Sequence, residues 1–480
     1  MARAIRLSYA QVMLNAVFGA STGGMFLIGF LIRLGADDVL LGLVAAVPQF
    51  FVLSQFFAAY LVEREVSRKR ITVVFSVVMP LCWLLIAGVP LLEGRLDRVA
   101  RFALVIGVIA LATLAGQFAG NARGSWVGEL VPAARRGRFF GACGMFAGIV
   151  GAVFAVIEGS FLDFARSHGL LAFTALFFFG SVFGLGSAAL NLPQPDCPLP
   201  AAESRPPFLA LVRATFRNRT LMSLMVVHAF VAMGGIAGPF NPAYCLRDVG
   251  LSFFGLGLLN AVATASALAS SPFWGRMVDR LGCRPILILG LAILAPCSAV
   301  WLGIPPGAVT RAYWLLPFSN AIAGAASAAV GVAISALLYK ASNPVGRSVQ
   351  FAVYGSLITA VGAPMPLVGG WLVSRLQGAG VAVDLRLTFA LWSVFMALAA
   401  LMAVRLRERR SVHTRVLLFN YIPYRLATLL GIALPTFLGP PLGLDAPRRR
   451  PVGGKPPEPG QTGKNSWQGP SDGTRMDVRE

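Results

Sequence analysis

The sequence predicts an all-α integral membrane protein of twelve transmembrane helices, arranged as two pseudo-symmetric six-helix bundles. Three observations carry that expectation. The 480-residue chain is 56% apolar and only 13% charged, a balance outside the range of water-soluble folds, which could not hide so much apolar surface. Twelve apolar runs of about twenty residues can be counted, the length a helix needs to cross roughly 30 Å of hydrocarbon. Loop and glycine patterns also recur at a displacement near 215 residues, as a duplicated membrane fold requires.

Each run has its own warrant. Tyr9–Ile32 follows a short basic segment, Met1 to Arg6, with no small-residue cleavage site, and reads as a retained first span. Val39–Val62 runs into the basic loop Arg64, Arg68, Lys69 and Arg70, and Ile71–Leu92 runs out of it. Phe102–Ala122 ends at Arg123, Phe139–Leu162 begins after Arg135, Arg136 and Arg138, and Leu170–Leu190 completes a first bundle over residues 1–190. Residues 191–219, with six prolines between Pro193 and Pro207, read as a cytoplasmic link.

Thr220–Tyr244 opens a second bundle over residues 220–404 and is interrupted by Gly238-Pro239-Phe240-Asn241-Pro242. Proline removes backbone hydrogen bonds, and such breaks persist where the backbone is buried in protein or faces a cavity, so an outer gate is expected here, opposite Gly19 to Gly24. Phe253–Trp274, Ile286–Ile304, Ala312–Leu338, Phe351–Val373 and Leu387–Val404 finish the bundle. Residues 405–480 form a basic tail. Its first part, Arg415 to Leu444, is apolar but broken by Pro423, Pro435, Pro440 and Pro441, and is expected to lie at the inner leaflet. Beyond Asp445, proline, glycine and charge predict disorder.

The net charge of +21 is spread as short Lys and Arg clusters between apolar runs. That is the pattern of loops at an anionic leaflet, so no nucleic-acid partner is expected. Nineteen basic residues fall on one side of the twelve runs and nine on the other, which places both termini in the cytoplasm and the protein in the cell's inner membrane. The six cysteines are scattered, with no CxxC and no metal-ligand spacing, and no metal or cofactor is expected.

In the first spans of each half, Gly19, Gly23 and Gly35 recur as Gly234, Gly238 and Gly250, each displaced by 215. Ala59-x-x-x-Glu63-Arg64 with Arg68 recurs as Gly275-x-x-x-Asp279-Arg280 with Arg284, displaced by 216, and Pro132-x-x-Arg135 as Pro344-x-x-Arg347, displaced by 212. The stretch Gly275-Arg-Met-Val-Asp279-Arg280-Leu-Gly282-Cys-Arg284 resembles the G-x-x-x-D-R-x-G-x-R signature of major facilitator superfamily transporters, and the layout is similar from Met1 to Val404. The resemblance implies a gating loop, a cytoplasmic latch formed when the inner gate closes. It assigns Gly275, Asp279, Arg280, Gly282 and Arg284 to that latch, with Glu63, Arg64 and Arg68 as the first-half copy. In that copy Ala59, Glu63 and Val66 replace the family's Gly, Asp and Gly. Ordinary positive-inside charge is the plainer reading of the same residues.

Gln117-Phe-Ala-Gly120-Asn121-Ala resembles the end of the family's fourth-span motif, but Leu111 to Leu114 lack the arginine tied to proton transfer. The fifth-span glycines Gly141, Gly144, Gly148 and Gly151 come without the antiporter proline, which argues against a typical drug/proton antiporter. They are expected to let helices come close. The family builds its central cavity from spans one, four, seven and ten, which makes Asn15, Gln117, Asn121, Asn241 and Asn320 candidates for cargo contact; helix-to-helix bonding is the alternative. Glu158 and His228 are the proton-coupling candidates, since ionisable groups at bilayer depth are costly. Against this, Glu158 could snorkel to the surface and His228 could be a satisfied core histidine.

The expected function is secondary active or facilitative transport of a small organic solute by alternating access, with a non-transporting sensor or scaffold on the same fold as the rival. No HExxH or carboxylate cluster supports a membrane enzyme. The expected partners are a small-molecule substrate, a coupling proton and the lipid bilayer, around a monomer. The scarcity of charge in the spans favours a neutral or amphiphilic cargo.

Overall fold

The computed structural model describes residues 2–52, 54, 67–92, 94–196, 208–342, 347–379, 384–406 and 408. Glu63 and Arg64, the link over 197–207 and the tail from 409 onward lie outside the described residues. Eleven helices among these residues are long and apolar enough to cross a membrane, and the shorter apolar helix Asp38–Val52 stands where the second span is expected.

Span one consists of two helices, Ala2–Thr22 and Gly24–Arg33, and span two is Asp38–Val52. Arg68–Gly88, Arg98–Leu130, Ala133–Phe164 and Leu170–Ala189 are spans three to six. Span seven begins as Arg219–Met233; Phe253–Leu281, Cys283–Ala299 and Val309–Ala341 are spans eight to ten. Span eleven is Arg347–Gly362 with Met365–Gly378, and span twelve is Arg386–Ala403. The face where span one begins and span twelve ends is called the terminal face below, and the opposite one the distal face.

Polar side chains start the helices where the sequence provides them. Asp97 accepts from the Ala100 amide, Ser252 from Gly255, and Asn218 from both Thr220 and Leu221, each satisfying a donor that the first helical turn cannot. The repeat has a geometric counterpart. Span one breaks at Gly23; span seven passes from helix into a tight turn over Gly234–Ala237, then into Phe240–Ala243 and a wide π turn, Tyr244–Val249. Gly35 and Gly250 then end the two spans with φ of 91° and 84°, a backbone state only glycine adopts freely. Span eleven, expected as one run, is also broken, because Pro364 has no N–H with which to continue the helix.

Packing follows the same two-fold logic. Span three packs on four and six, and nine on ten and twelve; span one packs on five and six, and seven on eleven and twelve. Between the halves, span two meets eleven and span five meets eight. Among the described residues, an apolar cluster crosses that boundary, joining Leu31, Leu41 and Val44 of the first half to Phe240, Tyr244 and Leu256 of the second. It lies toward the distal face. The apolar clusters toward the terminal face, around Trp126 and around Phe118, draw on the first half alone.

Candidate functional site

The distal face is sealed by both charge and backbone contact. Arg247 Nη1 of span seven donates to Asp38 Oδ1 of span two at 2.8 Å. Asp163, near the end of span five, accepts from the amides of Phe253 and Phe254 at 3.0 and 2.8 Å, placing a carboxylate on the positive end of span eight. A Cβ on Gly42 would collide with the Pro366 carbonyl oxygen, and one on Gly257 would lie 2.5 Å from that of Ala155. No larger residue fits these two cross-half contacts. Of the four fifth-span glycines, only Gly148 has a close neighbour, Leu268; the tighter approach on that helix is at Gly159, which the sequence pattern does not single out.

On the terminal face, the described hydrogen bonds and ion pairs stay within one half or the other. Gly282 ends span eight at a φ of 96°, as the signature requires of a tight turn. A Cβ on Gly275 would meet no atom within 4 Å, so no helix among the described residues approaches closely there. Asp279 and Arg280 are exposed and have no ion-pair partner among the described residues. Arg284 donates through Nη2 to the Val404 carbonyl at 2.5 Å, and its amide, with that of Cys283, binds the Glu408 carboxylate. Lys340 Nζ lies 3.3 Å from the same carboxylate. Burial alone would raise the Glu408 carboxyl, but the two amides and the Lys340 ammonium outweigh it and hold the group below the usual carboxylate range. Arg68 is buried at the start of span three.

Three cavities run along span one. The first, of about 500 Å³, is lined by Gln11, Asn15, Gln117 and Arg123, among others. The second, of about 270 Å³, shares Ala147 with it and includes Gly19, Gly23 and Asn260. The third, of about 600 Å³, shares Gly24 with the second and lies between the halves, against Gln49, Gly238, Pro239 and Pro242. From Gln11 to Ile28 this is about 25 Å of helix. The structure therefore brings Asn15 and Gln117 together, and sets the break in span seven across a cavity from Gly24.

The other amides are placed differently. Asn320 bonds back to the Leu316 carbonyl of its own helix at 2.9 Å. Asn121 and Asn241 are half-buried on spans four and seven. Glu158 does not snorkel: it is 3% exposed, its Oε1 accepts from Ser21 of span one at 2.5 Å, and its buried Oε2 has no described partner. Gly180 of span six leaves the room that Ser21 occupies. His228 Nδ1 pairs with the Tyr354 hydroxyl at 2.7 Å, joining spans seven and eleven. Sequence reasoning missed Asp38, Asp163 and Arg247 as a seal. The available signal was opposite charge at span ends on the side poorer in charge.

Residues 225–418 match the family model of the Major Facilitator Superfamily. Quinolone resistance protein NorA of Staphylococcus aureus is 28% identical over 138 residues, 29% of this chain and 34% of that protein. Multidrug resistance protein 2 of Bacillus subtilis is 28% identical over 206 residues, 41% of this chain and 48% of that protein. The chain thus spans between a third and a half of the length of these curated relatives. Among solved structures, a mutant of the nucleoside transporter NupG has a TM-score of 0.66 at 13% identity, covering 84% of this chain and 100% of that one. A bacterial homologue of the human lysosomal transporter Spinster, inward-facing and unoccupied, gives 0.62 at 15%, covering 85% and 98%. At these identities the two structures speak for the fold.

Proposed function

We infer, from the premise that this chain belongs to the major facilitator superfamily, that it moves a small organic solute across a membrane by alternating access. One observation supports the reading above the others: the distal face is bolted by cross-half contacts, while the signature residues Asp279 and Arg280 are exposed on the terminal face with no ion-pair partner among the described residues. Such a pairing is expected of a carrier caught open toward its terminal face, with the latch of the other state disengaged. The excess of basic residues on that face favours placing it, with both termini, in the cytoplasm. The names of the two curated relatives, for quinolone and multidrug resistance, favour an organic, drug-sized solute over an inorganic ion. Nothing in the pathway calls for covalent chemistry.

Asn15 and Gln117 are the proposed cargo contacts. Glu158 is the proposed proton carrier, because it bridges spans one and five and has a carboxylate oxygen with no described partner. Its replacement, Glu158→Gln, is expected to abolish the response of uptake to an imposed pH gradient; an unaltered response removes Glu158 from the mechanism.

The carrier reading is tested without knowing the cargo. A single cysteine, Asn260→Cys, in an otherwise cysteine-free chain is expected to react with an impermeant maleimide added from either face. Cross-linking Asp38→Cys to Arg247→Cys is expected to stop modification from the distal face only. Reaction confined to one face in the uncross-linked protein contradicts alternating access and favours the sensor or scaffold.

A further inference from the structure

We propose that the cargo is an organic monoanion with an apolar body, its charged head seated at Arg123 in the cavity nearest the terminal face; the inference rests on the carrier reading above. Arg123 is half-buried and lines the 500 Å³ cavity. Its described partner is the Asn191 carboxamide oxygen, a neutral acceptor, and no carboxylate among the described residues lies within ion-pair distance. A guanidinium drawn partly out of water without a counter-charge is costly, and a bound anion offsets that cost. None of the lining residues of this cavity, or of the two joined to it, is acidic, and Arg123 is the charged member among them, so the positive potential is concentrated at the end nearest the terminal face.

Gln11 narrows the chemistry of the head. It is 5% exposed, its Nε2 donates to Ser187 Oγ at 2.8 Å, and its Oε1 has no partner among the described residues. An orphaned buried acceptor costs about 1–3 kcal/mol, and a hydroxyl next to the anionic group of the ligand satisfies it. Asn15 and Gln117 add donors and acceptors on the same cavity wall. The far end of the pathway is of the opposite kind: around the 600 Å³ cavity, Ile28, Val44, Ile358 and Pro239 face the space, with Gln49 and Thr359 as its polar members. The polar and charged end and the apolar end are joined through Ala147 and Gly24. A head bearing a carboxylate and a neighbouring hydroxyl matches the polar end, and an aliphatic or aromatic body extends from it toward the apolar end.

The rival account makes Arg123 a strut that fixes the end of span six through Asn191. Binding of three probes to the full-length protein in nonionic detergent, by calorimetry, separates the two: α-hydroxyoctanoate, octanamide and octyltrimethylammonium, each below its aggregation concentration. The hydroxy acid is expected to bind about tenfold or more tighter than the cation, and Arg123→Gln to weaken the acid by about tenfold while leaving octanamide near its wild-type affinity. Arg123→Lys is expected to retain most of the preference for the acid. Retained octanamide binding shows that the variant is folded. The proposal is overturned if the cation binds as tightly as the acid, if Arg123→Gln leaves the acid unaffected, or if none of the three binds. Two-sided labelling of Asn260→Cys reports on the carrier reading without any cargo. Failure of the binding prediction beside intact two-sided labelling therefore removes the cargo class alone, and failure of the labelling removes the carrier reading.

Discussion

Glu408 illustrates how much one side chain on the terminal face does. Its carboxylate takes two backbone amides at the start of span nine and faces Lys340 at the end of span ten. Each such charged hydrogen bond contributes on the order of 1–2 kcal/mol when partly shielded from solvent. Because the folded-state carboxyl sits below its ordinary value of 4.5, the stability it adds is fully present above that pH and is lost as pH falls through the folded value. The unfolding temperature of the wild type is therefore expected to fall on acidification from about pH 5 downward, the region where free glutamate titrates. Glu408→Gln should unfold earlier at neutral pH and flatten that acid slope; an unchanged slope means that other carboxylates set it. Arg123 marks what the sequence withholds at this scale. Its place toward the terminal-face end of span four is legible, but the lack of a counter-ion among the described residues depends on every element that folds around it.

At the scale of elements, the breaks in spans one and seven are legible because glycine and proline act locally, and the positive φ at Gly35 and Gly250 bears out the repeat that pairs them. The break in span eleven is missed by hydropathy alone, which averages over Pro364. The contact of span five with span eight is not legible either, since Gly159 and Gly257 lie on different spans and no local pattern relates them. Their closeness makes a prediction. Gly257→Val places bulk 2.5 Å from the Ala155 carbonyl, and overpacking of this kind costs about 1–3 kcal/mol. Only the sealed distal state bears that cost, so modification of Asn260→Cys from the distal face is expected to speed up by about tenfold. A rate equal to that of the parent protein means the helices accommodate the side chain without parting.

For the molecule as a whole, composition, span length and charge asymmetry act along the chain, and the fold class follows from them directly. The seal does not, because Asp38 and Arg247 stand 209 residues apart and meet only once both bundles have formed. The charge asymmetry does fix an expected orientation, and the labelling experiment reads it. In intact cells Arg280→Cys should be shielded from impermeant maleimide, while Arg98→Cys, on the distal side, should react; the reverse pattern inverts the assignment of the two faces. The two faces also differ in kind. On the distal side the halves touch through glycine edges, two carboxylates and a shared apolar cluster, and on the terminal side the described ion pairs and hydrogen bonds stay within one half.

The bare glycine edges between spans two and eleven, and between five and eight, have a kinetic implication. At these edges the halves meet main chain to main chain and can begin to slide without a rotamer change, while the side chains shared around Leu31, Leu41, Phe240 and Tyr244 are uncovered as the halves part. Parting also takes the Asp38 and Asp163 carboxylates from their cross-half partners, and water has to replace those hydrogen bonds.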